Sequence, residues 1–497
     1  MKQRAPLTLA AAVAALAALT GLAALTAPGA QSAGNTAAAS RMPVERSLLV
    51  CPAPSSSDIA DTTYTAFTPA ATGGKGAAAP GPGSARLLGA TKDAKAVLEP
   101  KEPGKPFGAT ASGADAPALT GTADGSLAPG WTAQQTTKVS VGRARGVLGA
   151  GCTAPGTDFW FPAVSTAKGR EDYVHLTNPD DAAAVVDIKL FGPDGPLKSE
   201  AGTGENIRID PRSSKAVLLS SLEPATQLAD ATAHVTTRAG RVGASVQVAE
   251  EGVGADWLPA ATDPAGSLVL PGIPADATSV RLVAFVPGDQ DADLRLRLAG
   301  QGGSISPAGN EQLHVKAGMT ASVDLADLTR GEAGSLLLTP VDAKKTSPVV
   351  AAVRVVRGSG AKQELGFVPA AGPVGARATV ADNRPEENTS VLALTAPGTE
   401  DAKVRVTASP GTGGGEAASQ EVVVKAGTTQ NVTVVPAGGK GSYALTVETL
   451  SGGPVHAART LSLPHEGIAM FTVQTLSDDR STVSVPRAAQ DLSVLTR

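Results

Sequence analysis

The sequence predicts an all-β chain of tandem β-sandwich repeats behind one N-terminal hydrophobic helix, from three observations. Glycine contributes 56 residues and proline 37, against only 3% aromatic residues, which suits many short strands of valine, leucine and alanine joined by turns. After Ser40, few runs keep the i, i+3, i+4 spacing of a helix without meeting a glycine or proline. Several landmark phrases return in a fixed order at steps of 106 to 110 residues, a period that belongs to a domain and is too long for a solenoid unit.

The first element is an uncharged run, Leu7 to Ala27, behind Lys2 and Arg4. As a helix its 21 residues reach about 32 Å, enough to cross a bilayer. The basic end stays inside, so the remainder is expected outside the cytoplasm, either held by a single-pass anchor or secreted after cleavage. Gln31 to Met42 is small and polar, as a tether would be, so residues 1–42 form the signal or anchor and its tether. Two cysteines, Cys51 and Cys152, are expected to bridge in an oxidising exterior. Such a loop of about 100 residues is worth roughly 4–5 kcal/mol in the chain-entropy account.

Residues 43–165 read as a degenerate first β unit. Val44 to Pro52 is a strand running into a turn, Thr62 to Thr68 its partner, and Ala70 to Gly130 a Gly/Ala/Pro-rich surface insertion. Units 166–262, 263–372 and 373–497 follow, the last including the C-terminal tail. Turn prolines Pro179, Pro287 and Pro397 mark the first hairpin of each, and Pro211, Ala317 and Ala426 mark a second turn. Val242, Val349 and Val455 open the strands GASVQV, VAAVRV and HAARTL. An aromatic residue closes each unit, at Trp160, Trp257, Phe367 and Phe471. About seven short strands are expected per unit, in the second at Tyr173–Thr177, Val185–Phe191, Ile207–Ile209, Val217–Ser220, Ala233–Thr236, Val242–Ala249 and Asp256–Leu258. That count in about 105 residues predicts an immunoglobulin-like β-sandwich. The alternative is a β-propeller in which each repeat supplies two blades.

The order of phrases, a strand ending in a Pro-Gly turn, VDIKLFGPDG, VKAG and an apolar run, then Pro-Val-x-Ala, resembles an immunoglobulin-like module of bacterial surface and secreted proteins. With VERSLLVCP soon after a hydrophobic segment, the chain resembles an actinobacterial family of exported proteins of unknown function. The resemblance implies export and a β-rich fold, and carries over no catalytic residue.

Candidate chemistry is sparse. The net charge of -4 with mixed signs excludes a nucleic-acid binder. His175, His234, His314, His456 and His465 have no ligand spacing and read as strand-face or surface residues. No GxSxG or P-loop occurs; Gly438 to Ser442 reads as a loop, and Ser165 to Lys168 matches SxxK where no helix is expected. Asp289, Asp291 and Asp293 open like a calcium loop, but Leu294 and Gly300 stand where glycine and glutamate belong. The unit aromatics are expected to pack between or within units, and Trp131, outside the register, is the more exposed candidate for stacking on a glycan. No catalytic, cofactor or metal residue is assigned. The expectation is a non-enzymatic extracytoplasmic envelope protein, a scaffold or binding module for a protein or glycan partner, touching the membrane through Leu7 to Ala27 if that segment is retained. The alternative is an enzyme or accessory subunit of envelope glycan metabolism, with acids from separate units meeting at a junction or in the insertion.

Overall fold

A computed structural model describes residues 40–70, 81–197 and 202–485. The hydrophobic helix expected at Leu7 to Ala27 lies outside the described residues, among which no helix is long and apolar enough to cross a membrane. The chain divides into a large unit, residues 43–481, and a small one that combines both chain ends. The described residues at the two chain ends form a two-stranded sheet, Ser40–Pro43 with Thr482–Val485.

The large unit is all-β, as expected: its described residues form eight antiparallel sheets of four or five strands, two to a repeat. In the second repeat, Asp158–Val164, Ala231–Ala239 and Ala184–Gly192 lie side by side in a leading sheet, extended by Gly195–Pro196 and Ile207–Ile209. The closing sheet runs Ser213–Leu218, Arg170–Asn178, Gly243–Glu250, Gly254–Leu258. The third repeat repeats this from Leu268–Ile273 to Glu364–Pro369, and the fourth from Arg377–Asn383 to Phe471–Leu476. Alternation of polar and apolar residues builds the strands. In Ala292–Ala299, Leu294, Leu296 and Leu298 point into the core while Asp293, Arg295 and Arg297 are exposed.

Each pair of sheets encloses its own apolar core, so the architecture is β-sandwich-like. The chain crosses repeatedly between the two sheets of a repeat, whereas a propeller blade is built of consecutive strands. The two-sheets-per-repeat count of the propeller alternative is present without its connectivity.

Two expectations about boundaries change. The stretch read as an insertion, Ala70 to Gly130, contains Ala85–Gly89, Ala96–Leu98, Phe107–Ser112 and Leu119–Asp124, which complete both sheets of the first repeat. Its strands are built largely of alanine, glycine and threonine, so their hydrophobic contrast is low, and Leu87, Leu119 and Trp131 supply the core. Trp131 is therefore buried, not exposed. The strand Asp158–Val164, which carries Trp160, opens the second repeat and does not close the first; the first repeat ends on Gly146–Gly151.

The acidic turns that resembled a calcium loop have a simpler job. Asp291 Oδ1 accepts the N–H of Ala317 at 2.8 Å, and Asp401 Oδ1 accepts that of Ala426 at 2.8 Å. In the second repeat the corresponding residue is Pro211, which has no N–H to give. There Arg212 pairs with Asp181 and Arg241 with Asp180, so the turn is held by ion pairs. No group of metal-ligating side chains occurs among the described residues.

Candidate binding recess and buried axis

The four closing strands meet one another in a cycle: Gly146–Gly151 packs on Gly254–Leu258, that strand on Glu364–Pro369, that on Phe471–Leu476, and the last on Gly146–Gly151 again. Three unit aromatics complete a neighbour's interior. Trp257 joins Val139, Leu148 and Ala150 of the first repeat, Phe367 lies in the core of the second, and Phe471 in the core of the third. Gly366 is required beside Phe471, because a Cβ there would come within 2.8 Å of its ring. Trp160 differs, stacking on His234 at 3.5 Å and on Phe285 of the third repeat at 5.4 Å.

Two carboxyls from separate repeats come to this axis, Asp256 and Glu364, both with no exposed surface. Asp256 Oδ1 accepts from Gly149 N–H at 3.2 Å and from Thr472 Oγ1 at 3.1 Å, while Oδ2 lacks a hydrogen-bond partner. Burial drives its pKa well above the usual carboxylate range, and the nearby Glu364 adds to the rise. Burial likewise pushes Glu364 up to about 8, against the pull of Arg145, whose Nε is 3.8 Å away. The Arg145 guanidinium also donates to the carbonyls of Val253 and Gln363. Both acids are sealed between strands and out of reach of substrate. Sequence reasoning missed both, since an acid's burial here depends on strands from three other places in the chain.

Around the ring, three of the leading sheets pack on the next repeat's closing sheet. Between second and third, Trp160, Phe191, Phe285 and Val350 fill the gap, with Arg281 on Asp230 and Arg354 on Glu250 at the rim. Between third and fourth, Leu268–Ile273 lies on Ser390–Ala396 and His456–Ser462, and Ser335 Oγ meets Thr395 Oγ1 at 2.7 Å. Between fourth and first, Phe67 packs with Ala381 and Ala444. The first and second repeats meet differently. Val50 sits over Gly243, where any Cβ would lie 2.6 Å from it, and beyond that contact the sheets part around a recess of about 490 Å3.

The recess floor is the outer face of the second closing sheet. Tyr173 is directly opposite Gln247 across the strands, and His175 lies one step along. Gln247 hydrogen-bonds His175 and reaches the carbonyl of Pro54 at 3.4 Å. Burial pulls the His175 imidazole down to about 4, so it is neutral at pH 7, and its ring stands edge-on to Trp257 at 5.0 Å. Arg143 and Glu171 pair at the rim, with Glu251 3.8 Å from the same guanidinium. Ser56, Ser57 and Val141, the last 58% exposed, complete the mouth.

A larger recess of about 560 Å3 adjoins the second and third repeats, but its acid, Asp230, is already bound to Arg281 and Ser322. The SxxK serine is structural: Ser165 Oγ donates to Leu228 O and its N–H binds Asp172. His456 is buried on Ala371 O, and His314 lies between Asp291 and Asp293. Cys51 and Cys152 form a disulfide.

Among comparisons with known proteins, the model of a family of unknown function, DUF5719, matches residues 108–435. No curated protein matches the chain.

Proposed function

This chain belongs to the family of unknown function DUF5719, and on that premise we propose that it is a non-enzymatic extracytoplasmic envelope protein, a rigid ring that binds a glycan or protein partner. We read its repeats as variants of immunoglobulin-like surface modules of an exported actinobacterial protein. The observation that carries the reading is the fate of the acids. The two carboxyls with strongly raised pKa values, Asp256 and Glu364, are buried in the axis. Glu171, the carboxylate lining the recess between the first and second repeats, is paired to Arg143. A hydrolase of glycans needs two carboxyl groups flanking the scissile bond, and neither place offers such a pair. The disulfide Cys51–Cys152 supports an oxidising compartment.

The test uses the purified full chain and isolated bacterial envelopes. Co-sedimentation without release of reducing sugar is expected. A chain that stays in solution, or one that sediments and liberates reducing ends, overturns the proposal.

A further inference from the structure

The ring has four junctions between repeats, and three are filled by side chains of the facing sheets. At the fourth, among the described residues, no strand of the first leading sheet packs along Arg170–Asn178 or Gly243–Glu250; contact is made by Val50 and Pro52 near Gly243 and Thr177 and by Pro54, whose carbonyl Gln247 reaches. Residues corresponding in register to Tyr173 and His175 are Arg281 and Val283 in the third repeat. Arg281 is tied to Asp230 and Val283 is buried in the second repeat's core. Where its sister faces are covered, this face is left with a phenol, an imidazole and an amide at the floor of a recess.

We propose that the recess between the first and second repeats, floored by Tyr173, His175 and Gln247, is a binding site for a neutral saccharide of disaccharide size. This deepens the binding reading above and rests on it. Size and chemistry both point there. A volume of about 490 Å3 lies within the range of small-ligand sites, roughly 300–1,000 Å3. Tyr173 gives an aromatic surface with a hydroxyl at its tip, suited to the apolar face and hydroxyl edge of a sugar ring. Gln247 and the neutral His175 already bond each other, and Gln247 reaches Pro54, so with the Tyr173 hydroxyl their remaining positions offer donors and acceptors without charge. The rim cation, Arg143, is held by Glu171 and approached by Glu251, so an anion finds no free partner and meets a surplus of carboxylate. That charge balance separates a neutral sugar from a nucleotide, a phosphate or a uronic acid.

The test titrates the purified full chain with cellobiose, maltose, mannobiose and N,N'-diacetylchitobiose, and with cellobiouronic acid, which keeps both rings, as the charged counterpart of cellobiose. Heat is measured by calorimetry, and Trp257 fluorescence reports through its contact with His175. At least one neutral disaccharide is expected to bind, more tightly than the acid. Tyr173→Ala is expected to weaken it by roughly tenfold or more, as loss of an aromatic platform does. Ala249→Leu, which narrows the recess without removing a polar group, is expected to weaken it as well. Melting temperature establishes that each variant is folded. No binding by any neutral disaccharide, preference for cellobiouronic acid, or retained affinity in either folded variant overturns the site. Envelope co-sedimentation is a separate readout, so a chain that sediments but ignores these sugars loses the site and keeps the broader reading.

Discussion

Glu364 and Asp256 face each other's strands at the ring axis, and their burial makes stability depend on pH in an unusual direction. The folded state holds a proton on Glu364 up to about pH 8, whereas the unfolded chain releases it near 4.5. The stabilisation from that proton is full below 4.5 and is lost as pH rises to about 8. His175 works the other way: its folded pKa of about 4 lies below the ordinary 6.5, so its contribution is full above 6.5 and lost as pH falls toward 4. Between 6.5 and 8, Glu364 therefore acts without that opposition. Unfolding free energy from denaturant melts should fall there by roughly 1 kcal/mol per pH unit, flattening as pH 8 is reached, with Asp256 acting in the same sense. Glu364→Gln keeps the shape and the acceptor for Leu365 N–H, and its melts should show a visibly flatter profile. An equal slope in both proteins would mean that Glu364 does not titrate in this window.

At the scale of elements, the closing strands do two jobs, ending one sandwich and finishing the next one's core. Phe367 is fully buried among residues of the second repeat. Phe367→Ala should cost about 3–5 kcal/mol, and hydrogen exchange should show the loosening in the second repeat, which the mutated strand does not belong to. A loss confined to the third repeat would contradict the shared core. The recurrence of Trp257, Phe367 and Phe471 was legible because an aromatic residue is rare here and each stands after the same Val-x-Ala strand. Trp160 was misplaced by that same logic, since Phe-Trp-Phe-Pro imitates a closing strand while its backbone pairs with Ala231–Ala239. The strands of residues 85–124 were illegible for a different reason. Alanine, glycine and threonine surround the few large core residues, Leu87, Leu98 and Leu119, so little period-two contrast reaches the sequence. The recess residues follow the same rule: Tyr173 and His175 alternate with core residues Val174 and Leu176, and only the missing cover makes them a floor.

For the molecule as a whole, the disulfide lies at the junction with the least sheet packing. It joins the end of Arg46–Cys51 to the residue just after Gly146–Gly151, linking the first and last strands of the first repeat. Paired Cys51→Ser and Cys152→Ser substitutions should lower stability by about 4–5 kcal/mol, as expected for a loop of about 100 residues. The loss is read from denaturant midpoints, with local opening in the first repeat seen by hydrogen exchange. Unchanged midpoints would show that the ring alone supplies the constraint. The closed cycle of strands has one more consequence, for how such a chain can grow. A solenoid gains or loses a repeat at its end with little disturbance. Here the last repeat already occupies the first one's free face, and a fifth copy has nowhere to dock. Adding a repeat to this chain would therefore require opening the closed cycle and re-forming it at a new curvature, a cost that a solenoid extended at its end does not carry.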